Sequence, residues 1–176
     1  MKSKYLIVID MQHDFVDGAL GSDEALKIVP PLVDKLGSFK GEIIFTKDTH
    51  DSNYLSTQEG ANLPVEHCIK GSIGHALIPE LEAIRQKRNA KVFEKPSFGS
   101  RELASYLKEQ WEMDKIQSIA LCGVCTDICV ISNALLIKAF IPECPLFVLK
   151  DLCAGLSPQK HLHALDVLSS CQIPSI

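Results

Sequence analysis

The chain has 176 residues, of which 46% are hydrophobic and 23% are charged, and its formal net charge is −4. This length suits one domain, residues 1–176, with a sizeable buried core. The acidic balance and the lack of a basic patch exclude a nucleic-acid-binding protein, and no apolar run reaches the length of a membrane span.

The N-terminal segment and the cysteines indicate the compartment. Residues 5–9 form an apolar run that is too short for a signal peptide, and it stops at Asp10 instead of a small-residue cleavage site. Seven cysteines in a chain without an export signal favour reduced thiols over a disulfide framework. We therefore expect a cytoplasmic protein with no membrane partner.

Short apolar runs alternate with helical patterns along the whole chain. Strands are predicted at residues 5–9, 42–46, 91–94, 118–122 and 145–149, and residues 172–176 are expected to add a short last strand. Helices are predicted at residues 23–38, 77–88, 100–112, 126–140 and 157–171. Continuous apolar strands between helices predict an α/β, Rossmann-like fold with three α/β/α layers around a central, mostly parallel sheet.

Several residues mark where elements begin or break. Ser100 and Ser157 are predicted to cap the starts of their helices, and Pro158 suits a first helical position. The pair Pro30 and Pro31 predicts a break or a second start in the first helix. Residues 48–74 follow neither the helical nor the strand period, and a loop of that length in a compact domain is usually functional.

Reactive side chains follow the first four predicted strands. Asp10 ends the first strand, and Asp48, Lys95 and Cys129 follow the second, third and fourth. Because ligands bind at the carboxyl ends of parallel strands, we expect these four side chains to converge on one rim of the sheet.

Part of this set predicts nucleophilic catalysis. Cys129 lies in the first turn of a predicted helix, where the dipole and the free N–H groups favour a thiolate. Asp10, with Lys95 nearby, would take the thiol proton and return it to a leaving amine. Backbone N–H groups of Cys125 and Cys129 would stabilise an oxyanion, so the hypothesis is acyl transfer through a thioester. Cys122, inside the strand, is interpreted as a small buried hydrophobe.

The long loop supplies a second cluster, with metal-ligating chemistry. Its candidate ligands are Asp48, His50, Glu59 and His67. Oxygen and nitrogen donors of this kind suit Zn, Fe or Mn, although on spacing alone a solvated loop with scattered polar residues is the alternative. His13 follows Asp10 closely enough to line the site without a chemical role. Three other histidines are interpreted as ordinary structural or surface residues: His75, His161 and His163.

Five motifs, taken in order, resemble a known family. They are Val-Ile-Asp-Met-Gln-His-Asp-Phe at 8–15, Asp-Thr-His at 48–50, Leu-Pro-Val-Glu-His-Cys-Ile-Lys-Gly at 63–71, Glu-Lys at 94–95 and Gly-Val-Cys-Thr-Asp-Ile-Cys-Val at 123–130. Together they resemble the isochorismatase-like cysteine hydrolase superfamily, and within it the nicotinamidases (pyrazinamidases). The match extends over essentially the whole chain.

The resemblance implies a role for each matching residue. It implies a catalytic triad of Asp10, Lys95 and Cys129, and a cis peptide in the oxyanion turn between Val124 and Cys125. It also implies a divalent metal ion, zinc first with manganese or iron as alternatives. The metal ligands would be Asp48, His50 and His67, with Glu59 as a further ligand in one branch of the family.

The same resemblance bears on the substrate. Phe15 matches the family position whose ring packs against nicotinamide. Many nicotinamidases have a Trp shortly before the last metal-binding His, whereas residues 62–66 of this chain contain no aromatic residue. We therefore expect Leu63, Phe98 or a residue of another subunit to take that place, and a homo-oligomer is left open.

The sequence thus supports one function over its competitors. The first hypothesis is a metal-dependent hydrolase that converts nicotinamide to nicotinic acid and ammonia for NAD salvage. The alternatives are a related hydrolase of another small amide, such as a carbamoyl or ureido compound, and a catalytically silent metal- or ligand-binding protein. A redox role is disfavoured because Cys125 and Cys129 lack C-x-x-C spacing. Dinucleotide binding is disfavoured because no G-x-G-x-x-G follows the first strand.

Overall fold

A five-stranded parallel sheet forms the centre of the molecule, which is described over residues 2–176 by a computed structural model. The strands are β1 (Ser3–Ile9), β2 (Glu42–Asp48), β3 (Lys91–Lys95), β4 (Ile116–Val124) and β5 (Leu146–Ala154). Their spatial order is β3-β2-β1-β4-β5, and every pairing is parallel. The order reverses at β1, so a topological switch point lies at its carboxyl end.

Helices cover both faces of this sheet. They are α1 (His13–Val16), α2 (Asp23–Ser38), α3 (Gln58–Asn62), α4 (Pro79–Arg88), α5 (Arg101–Glu112), α6 (Ile131–Phe140) and α7 (Pro158–Ser170). The helices α2 and α4 pack together against one face, and α5, α6 and α7 pack in sequence against the other. The predicted three-layer α/β/α fold is therefore confirmed. Within residues 2–176, no helix is both long enough and apolar enough to cross a bilayer.

The strands form where apolar, β-branched runs are buried on both sides. In β1 the five residues from Tyr5 to Ile9 are all buried, as a central parallel strand requires. The other predicted strands are present, and β5 continues beyond its predicted end to Ala154. The expected last strand is reduced to a single parallel bridge between Val148 and Ser175 at the sheet edge.

The predicted helix caps are confirmed. The side-chain oxygen of Ser100 accepts a hydrogen bond from the Leu103 N–H at 3.2 Å. That of Ser157 accepts one from the Lys160 N–H at 3.2 Å, and Pro158 occupies the first turn of α7. Each cap satisfies an N–H that the helix itself leaves free.

The predicted break at Pro30 and Pro31 is wrong, because α2 runs unbroken from Asp23 to Ser38. Both prolines lie on the exposed side of the helix. The two carbonyls that lose their N–H partners belong to Leu26 and Lys27, which are exposed as well. Water can therefore satisfy these carbonyls, and burial of the opposite apolar face holds the helix together.

Candidate active site

The carboxyl ends of the strands bring the predicted reactive residues together. Asp10 follows β1 directly, with a positive φ of 48°, and Asp48 is the last residue of β2. Asp48 pairs in register with Lys95, the last residue of β3. Cys129 lies in a π-helical turn, Thr126–Val130, that follows β4 and leads into α6. Sheet register thus places these side chains side by side at the switch point.

Lys95 is the common neighbour of three of these side chains. Its Nζ lies 2.7 Å from Asp10 Oδ2, 3.2 Å from Asp48 Oδ1 and 3.4 Å from Cys129 Sγ. The Lys95 side chain is 1% exposed and that of Asp10 is fully buried. A buried ammonium is tolerated only when it is paired, so Lys95 holds the two carboxylates and the thiol in a fixed arrangement. We call Asp10, Lys95 and Cys129 the thiol cluster.

Burial decides the protonation states in the thiol cluster. It raises the pKa of Cys129 well above the ordinary value, and the nearby Asp10 charge raises it further, while Lys95 opposes both. The prediction that the helix start favours a thiolate is therefore wrong. Burial also raises the pKa of the Asp10 carboxyl, against the opposing charge of Lys95. A neutral thiol beside a carboxylate of raised basicity is an arrangement suited to proton transfer between them.

Asp10 is held by one oxygen and has the other available. The hydroxyl of Thr46 donates to Asp10 Oδ1 at 2.6 Å. Oδ2 faces the Lys95 ammonium, yet it has no well-directed hydrogen bond within residues 2–176. Oδ2, which Thr46 leaves unbonded, is therefore the oxygen that can take a proton.

The turn after β4 is shaped around a cis peptide bond between Val124 and Cys125. Gly123 precedes it with a φ of 111°, and a Cβ there would lie 2.2 Å from the Ile9 carbonyl oxygen. The Cys125 carbonyl accepts the N–H groups of residues 128 and 130, at 3.1 and 3.0 Å. These constraints bring the backbone of the turn close to β1 and place Cys129 at the start of a helix.

The four predicted metal ligands form a second group beside the thiol cluster. The donor atoms of Asp48, His50, Glu59 and His67 all lie within 4.8 Å of one another. His50 Nε2 is 3.0 Å from Asp48 Oδ2 and 3.7 Å from Glu59 Oε1, and His67 Nε2 is 3.6 and 3.8 Å from the same two atoms. Metal–ligand bonds of ~2.1 Å in a tetrahedron separate ligands by roughly 3.4 Å, so these residues fit a divalent ion. We call them the metal cluster.

Neighbouring groups prepare these donors for a metal. Nδ1 of His67 lies 2.8 Å from the Val65 carbonyl oxygen. A carbonyl can only accept, so Nδ1 carries a hydrogen and Nε2 is the ring nitrogen available to a metal ion. Burial alone would raise the pKa of Asp48, but hydrogen bonds from His50 and His67 hold it well below its usual range. The carboxylate is therefore anionic, as a ligand must be.

Three residues of the site were missed from the sequence. The ring of Tyr54 packs 4.6 Å from that of His50 and 4.9 Å from that of His67, between centroids. Thr46 shares a strand face with Asp48, two residues on, and alternation along β2 could have identified it. Gln12 donates to the Asp48 carbonyl at 2.9 Å and accepts the Asp48 N–H at 2.7 Å. A long-range contact of this kind leaves no local sequence signal.

The predicted substrate-binding residues border the two clusters. The Phe15 ring lies 5.5 Å from the His67 ring. The Leu63 carbonyl accepts the Tyr54 hydroxyl at 2.9 Å, next to the metal cluster. The Phe98 carbonyl accepts from Asn133, whose amide also donates to the Cys129 carbonyl. The side chains of Leu63 and Phe98 are 37% and 44% exposed, so both are available for contact.

The remaining histidines differ in their surroundings. His13 contacts Asp17, the residue after α1, at 2.9 Å, and His163 contacts Gln159 at 2.7 Å. His75 contacts the Thr49 hydroxyl at 2.9 Å. None of these three belongs to either cluster. His161, by contrast, contacts the residue that follows Cys125.

A cleft of about 820 Å³ lies between the edge strand β3 and α5. Lys95, Tyr106 and Glu109 are among its lining residues, whereas Asp10, Cys129 and the metal cluster are not. We place the chemistry at the buried clusters, because convergent reactive groups are what a reaction requires.

The chain is similar in sequence and in structure to hydrolases of a known family. The Isochorismatase domain family model matches residues 4–175. An uncharacterised isochorismatase family protein of Bacillus subtilis, PncA, is 30% identical over 176 residues, covering 93% of this chain and 92% of that protein. The pyrazinamidase/nicotinamidase of Streptococcus mutans UA159 is similar in structure, with a TM-score of 0.84, 28% identity and coverage of 99% and 100%. The pyrazinamidase of Pyrococcus horikoshii in complex with zinc is also similar in structure, with a TM-score of 0.81 and 27% identity, over 99% of this chain and 98% of that chain.

Proposed function

The chain belongs to the isochorismatase family, as an amide-hydrolysing enzyme, and we propose that it is a metal-dependent nicotinamidase that converts nicotinamide to nicotinic acid and ammonia. One observation carries the proposal: a single buried Lys95 contacts Asp10, Cys129 and the metal-cluster residue Asp48. The thiol cluster and the metal cluster therefore form one continuous site. In the proposed complex the amide carbon of nicotinamide reaches the Cys129 thiol while the pyridine ring lies beside the metal cluster.

The thiol cluster accounts for the first half of the reaction. Asp10 Oδ2 takes the proton of Cys129, and Sγ attacks the amide carbon. The carbonyl oxygen becomes an oxyanion, which the backbone N–H groups of Cys125 and Cys129 stabilise. Asp10 then gives its proton to the amide nitrogen, the oxyanion collapses and the C–N bond breaks. Ammonia departs, and the acyl group remains on Sγ as a thioester.

The second half repeats the same proton transfers with water. Asp10 takes a proton from a water molecule, whose oxygen attacks the thioester carbon. Collapse of the second oxyanion breaks the C–S bond, releases nicotinic acid and returns the proton to Cys129. Throughout, the Lys95 ammonium stabilises the negative charge that passes between Asp10 and Sγ.

The metal cluster would hold a divalent ion, for which we propose zinc first, with manganese or iron as alternatives. Such an ion supplies a Lewis acid that can bind and orient the ring nitrogen of a pyridine carboxamide. Phe15, next to the His67 ring, is proposed to pack against the same ring of the substrate. The similarity to solved nicotinamidase and pyrazinamidase structures supports this substrate class.

The test measures ammonia release from nicotinamide by the wild-type protein and by Cys129→Ala, with metal content recorded on the same samples. We expect turnover in the wild type and none above background in the variant, because the nucleophile is gone while the fold remains. Turnover in Cys129→Ala at the wild-type rate would contradict the nucleophile assignment. No turnover by metal-loaded wild type would contradict the substrate.

A second candidate substrate class is favoured by one observation. Where many family members have an aromatic residue before the last metal-binding His, this chain presents the aliphatic side chains of Leu63 and Val65, which are 37% and 36% exposed. Aliphatic walls do not select for an aromatic ring, so a carbamoyl or ureido compound is the alternative. A panel of small amides decides the question, since the preferred substrate would exceed nicotinamide by orders of magnitude in kcat/KM.

As a nicotinamidase the protein would supply nicotinic acid to NAD salvage. The cytoplasm, predicted from the cysteine content, stays a prediction, as does assembly into a homo-oligomer. All seven cysteines are free in the structure.

A further inference from the structure

The turn that carries Cys125 is held from outside by helix α7. Thr126 directly follows Cys125 and is completely buried. Its hydroxyl oxygen lies 2.8 Å from Nδ1 of His161, a residue of α7 that is 35 positions away in sequence. The contact therefore ties a distant helix to the residue next to the proposed oxyanion-binding N–H.

A second tie joins the same two regions. The Asp127 carboxylate accepts the Leu156 N–H at 2.9 Å, in the connection between β5 and α7. At Gly155 a Cβ would lie 2.8 Å from Asp127 Oδ1 and 2.9 Å from the backbone nitrogen of His161, so the connection is closely packed against both residues. A shift of α7 would therefore be passed directly to the turn.

The chemistry of His161 suits a fixed neutral hydrogen bond. Burial lowers the pKa of His161, which the carboxylates of Asp127 and Asp151 oppose only in part, so its imidazole is neutral at pH 7. A neutral ring can accept from the Thr126 hydroxyl or donate to it, depending on its tautomer. Without this partner the Thr126 hydroxyl would be a buried polar group in want of a hydrogen bond.

We propose that His161 is a positioning residue for addition to the substrate carbonyl: through Thr126 it fixes the Cys125 N–H where the oxyanion forms. Oxyanion stabilisation depends on donors that are already in place before charge develops, so a loosened turn costs rate without removing the nucleophile. The proposal goes beyond the interpretation of His161 as an ordinary structural or surface residue. The inference rests on the proposed attack of Cys129 on a carbonyl.

Two reagents separate positioning of the oxyanion site from reactivity of the thiol. Benzaldehyde adds reversibly to the Cys129 thiol: the S–C bond forms, the C=O pair moves to the oxygen, which becomes an oxyanion, and the thiol proton passes to Asp10. Iodoacetamide instead forms its S–C bond by displacing iodide, so no oxyanion arises. Mass spectrometry of the peptide that contains Cys129 gives the alkylation rate, and protection against alkylation gives the affinity for benzaldehyde, which lacks the ring nitrogen that a metal would bind.

The variants are Thr126→Val, which removes the hydroxyl and keeps the shape, and His161→Leu. Each is expected to weaken the benzaldehyde adduct and to lower kcat on nicotinamide by about tenfold, less than the ~10²-fold loss that follows removal of an oxyanion donor. Alkylation rate and KM should stay near wild type. His161→Asn, whose amide can take the place of Nδ1, should restore most of the loss. His163→Leu, on the exposed side of the same helix, is the matched control and should behave as wild type.

Each result supports or overturns the proposal. Full-strength adducts in both variants, or a loss of alkylation equal to the loss of adduct, would show that His161 only ties α7 to the core. Absence of an adduct with wild type would also overturn it, since there would be no oxyanion to position. A wild-type adduct that weakens in both variants, without ammonia release from nicotinamide, would uphold His161 while rejecting the proposed substrate.

Discussion

At the scale of single residues, a buried hydroxyl controls the proposed general base. Asp10 has a raised pKa because it is buried, and the Thr46 hydroxyl donates to its Oδ1 at 2.6 Å. This bond fixes the carboxylate so that Oδ2 faces the Lys95 ammonium. Thr46 therefore determines which oxygen of Asp10 is free to take the proton.

Replacing Thr46 by Val should lower kcat on the amide substrate by roughly ten- to a hundredfold, because a hydrogen bond to a charged group contributes about 1.5–3 kcal/mol. KM should change little, since Thr46 does not reach the substrate. Steady-state kinetics of Thr46→Val and Thr46→Ser measure this. The Ser variant retains the hydroxyl and should recover most of the rate; equal losses in both variants would mean that the hydroxyl is not responsible.

Prediction from sequence succeeded for residues whose position follows from the sheet. It failed for properties that depend on burial and on the path of a loop. Asp10, Asp48 and Lys95 end strands, and parallel strands bring their ends to one rim. The direction of the Cys129 pKa shift could not be predicted, because it depends on how completely the turn is buried. Tyr54 was missed since its contacts with the metal cluster depend on the path of an irregular loop.

At the scale of elements, helix α2 shows tertiary packing overriding a local signal. Four of its residues, Ala25, Ile28, Leu32 and Leu36, are buried at helical spacing, and this face holds the helix through two prolines. The strand and helix patterns predicted the five strands and the five longer helices for the same reason, since apolar period reports the buried face, but they did not predict the short helices α1 and α3. Element ends were less predictable, as the extension of β5 to Ala154 illustrates.

Replacing Pro31 by Ala should raise the free energy of unfolding by roughly 1–2 kcal/mol. The new N–H can bond the Lys27 carbonyl, and the helix no longer has to accommodate the second proline ring. Urea denaturation gives the value. Lys27→Ala, on the same exposed side, is the control and should stay within about 0.5 kcal/mol of wild type. An unchanged midpoint in Pro31→Ala would show that the prolines impose no strain on α2.

At the scale of the whole molecule, the metal cluster holds together the long segment between β2 and α4, because all four ligands lie within residues 48–67. Its ligands come from the end of β2, from the loop that follows β2, from α3 and from the loop that precedes α4. An ion that binds only the folded chain adds its binding free energy to stability. Metal binding should therefore stabilise the protein against heat as well as serve the reaction.

A chelator should lower Tm by roughly 5–10 °C, as expected for an ion present at about a hundred times its Kd. His50→Ala should bind less metal, show a higher KM and lose the response to chelator, while its Cys129 still reacts with iodoacetamide. Metal analysis and calorimetry on the same samples measure this. His13→Ala, a histidine outside the metal cluster, should respond as wild type. Full metal content in His50→Ala would contradict its assignment as a ligand.

Lys95 sits at the tip of β3, which is the shortest strand and has a partner on one side only. Edge strands tend to open before the interior of a sheet does. On warming, fraying of these five residues would withdraw the ammonium from both clusters while the rest of the molecule stays folded. We expect amide hydrogens of β3 to exchange faster than those of β1, and heat inactivation to follow the exchange of β3 and to precede the calorimetric transition. Inactivation that coincides with the calorimetric transition would show that β3 stays paired until the whole sheet unfolds.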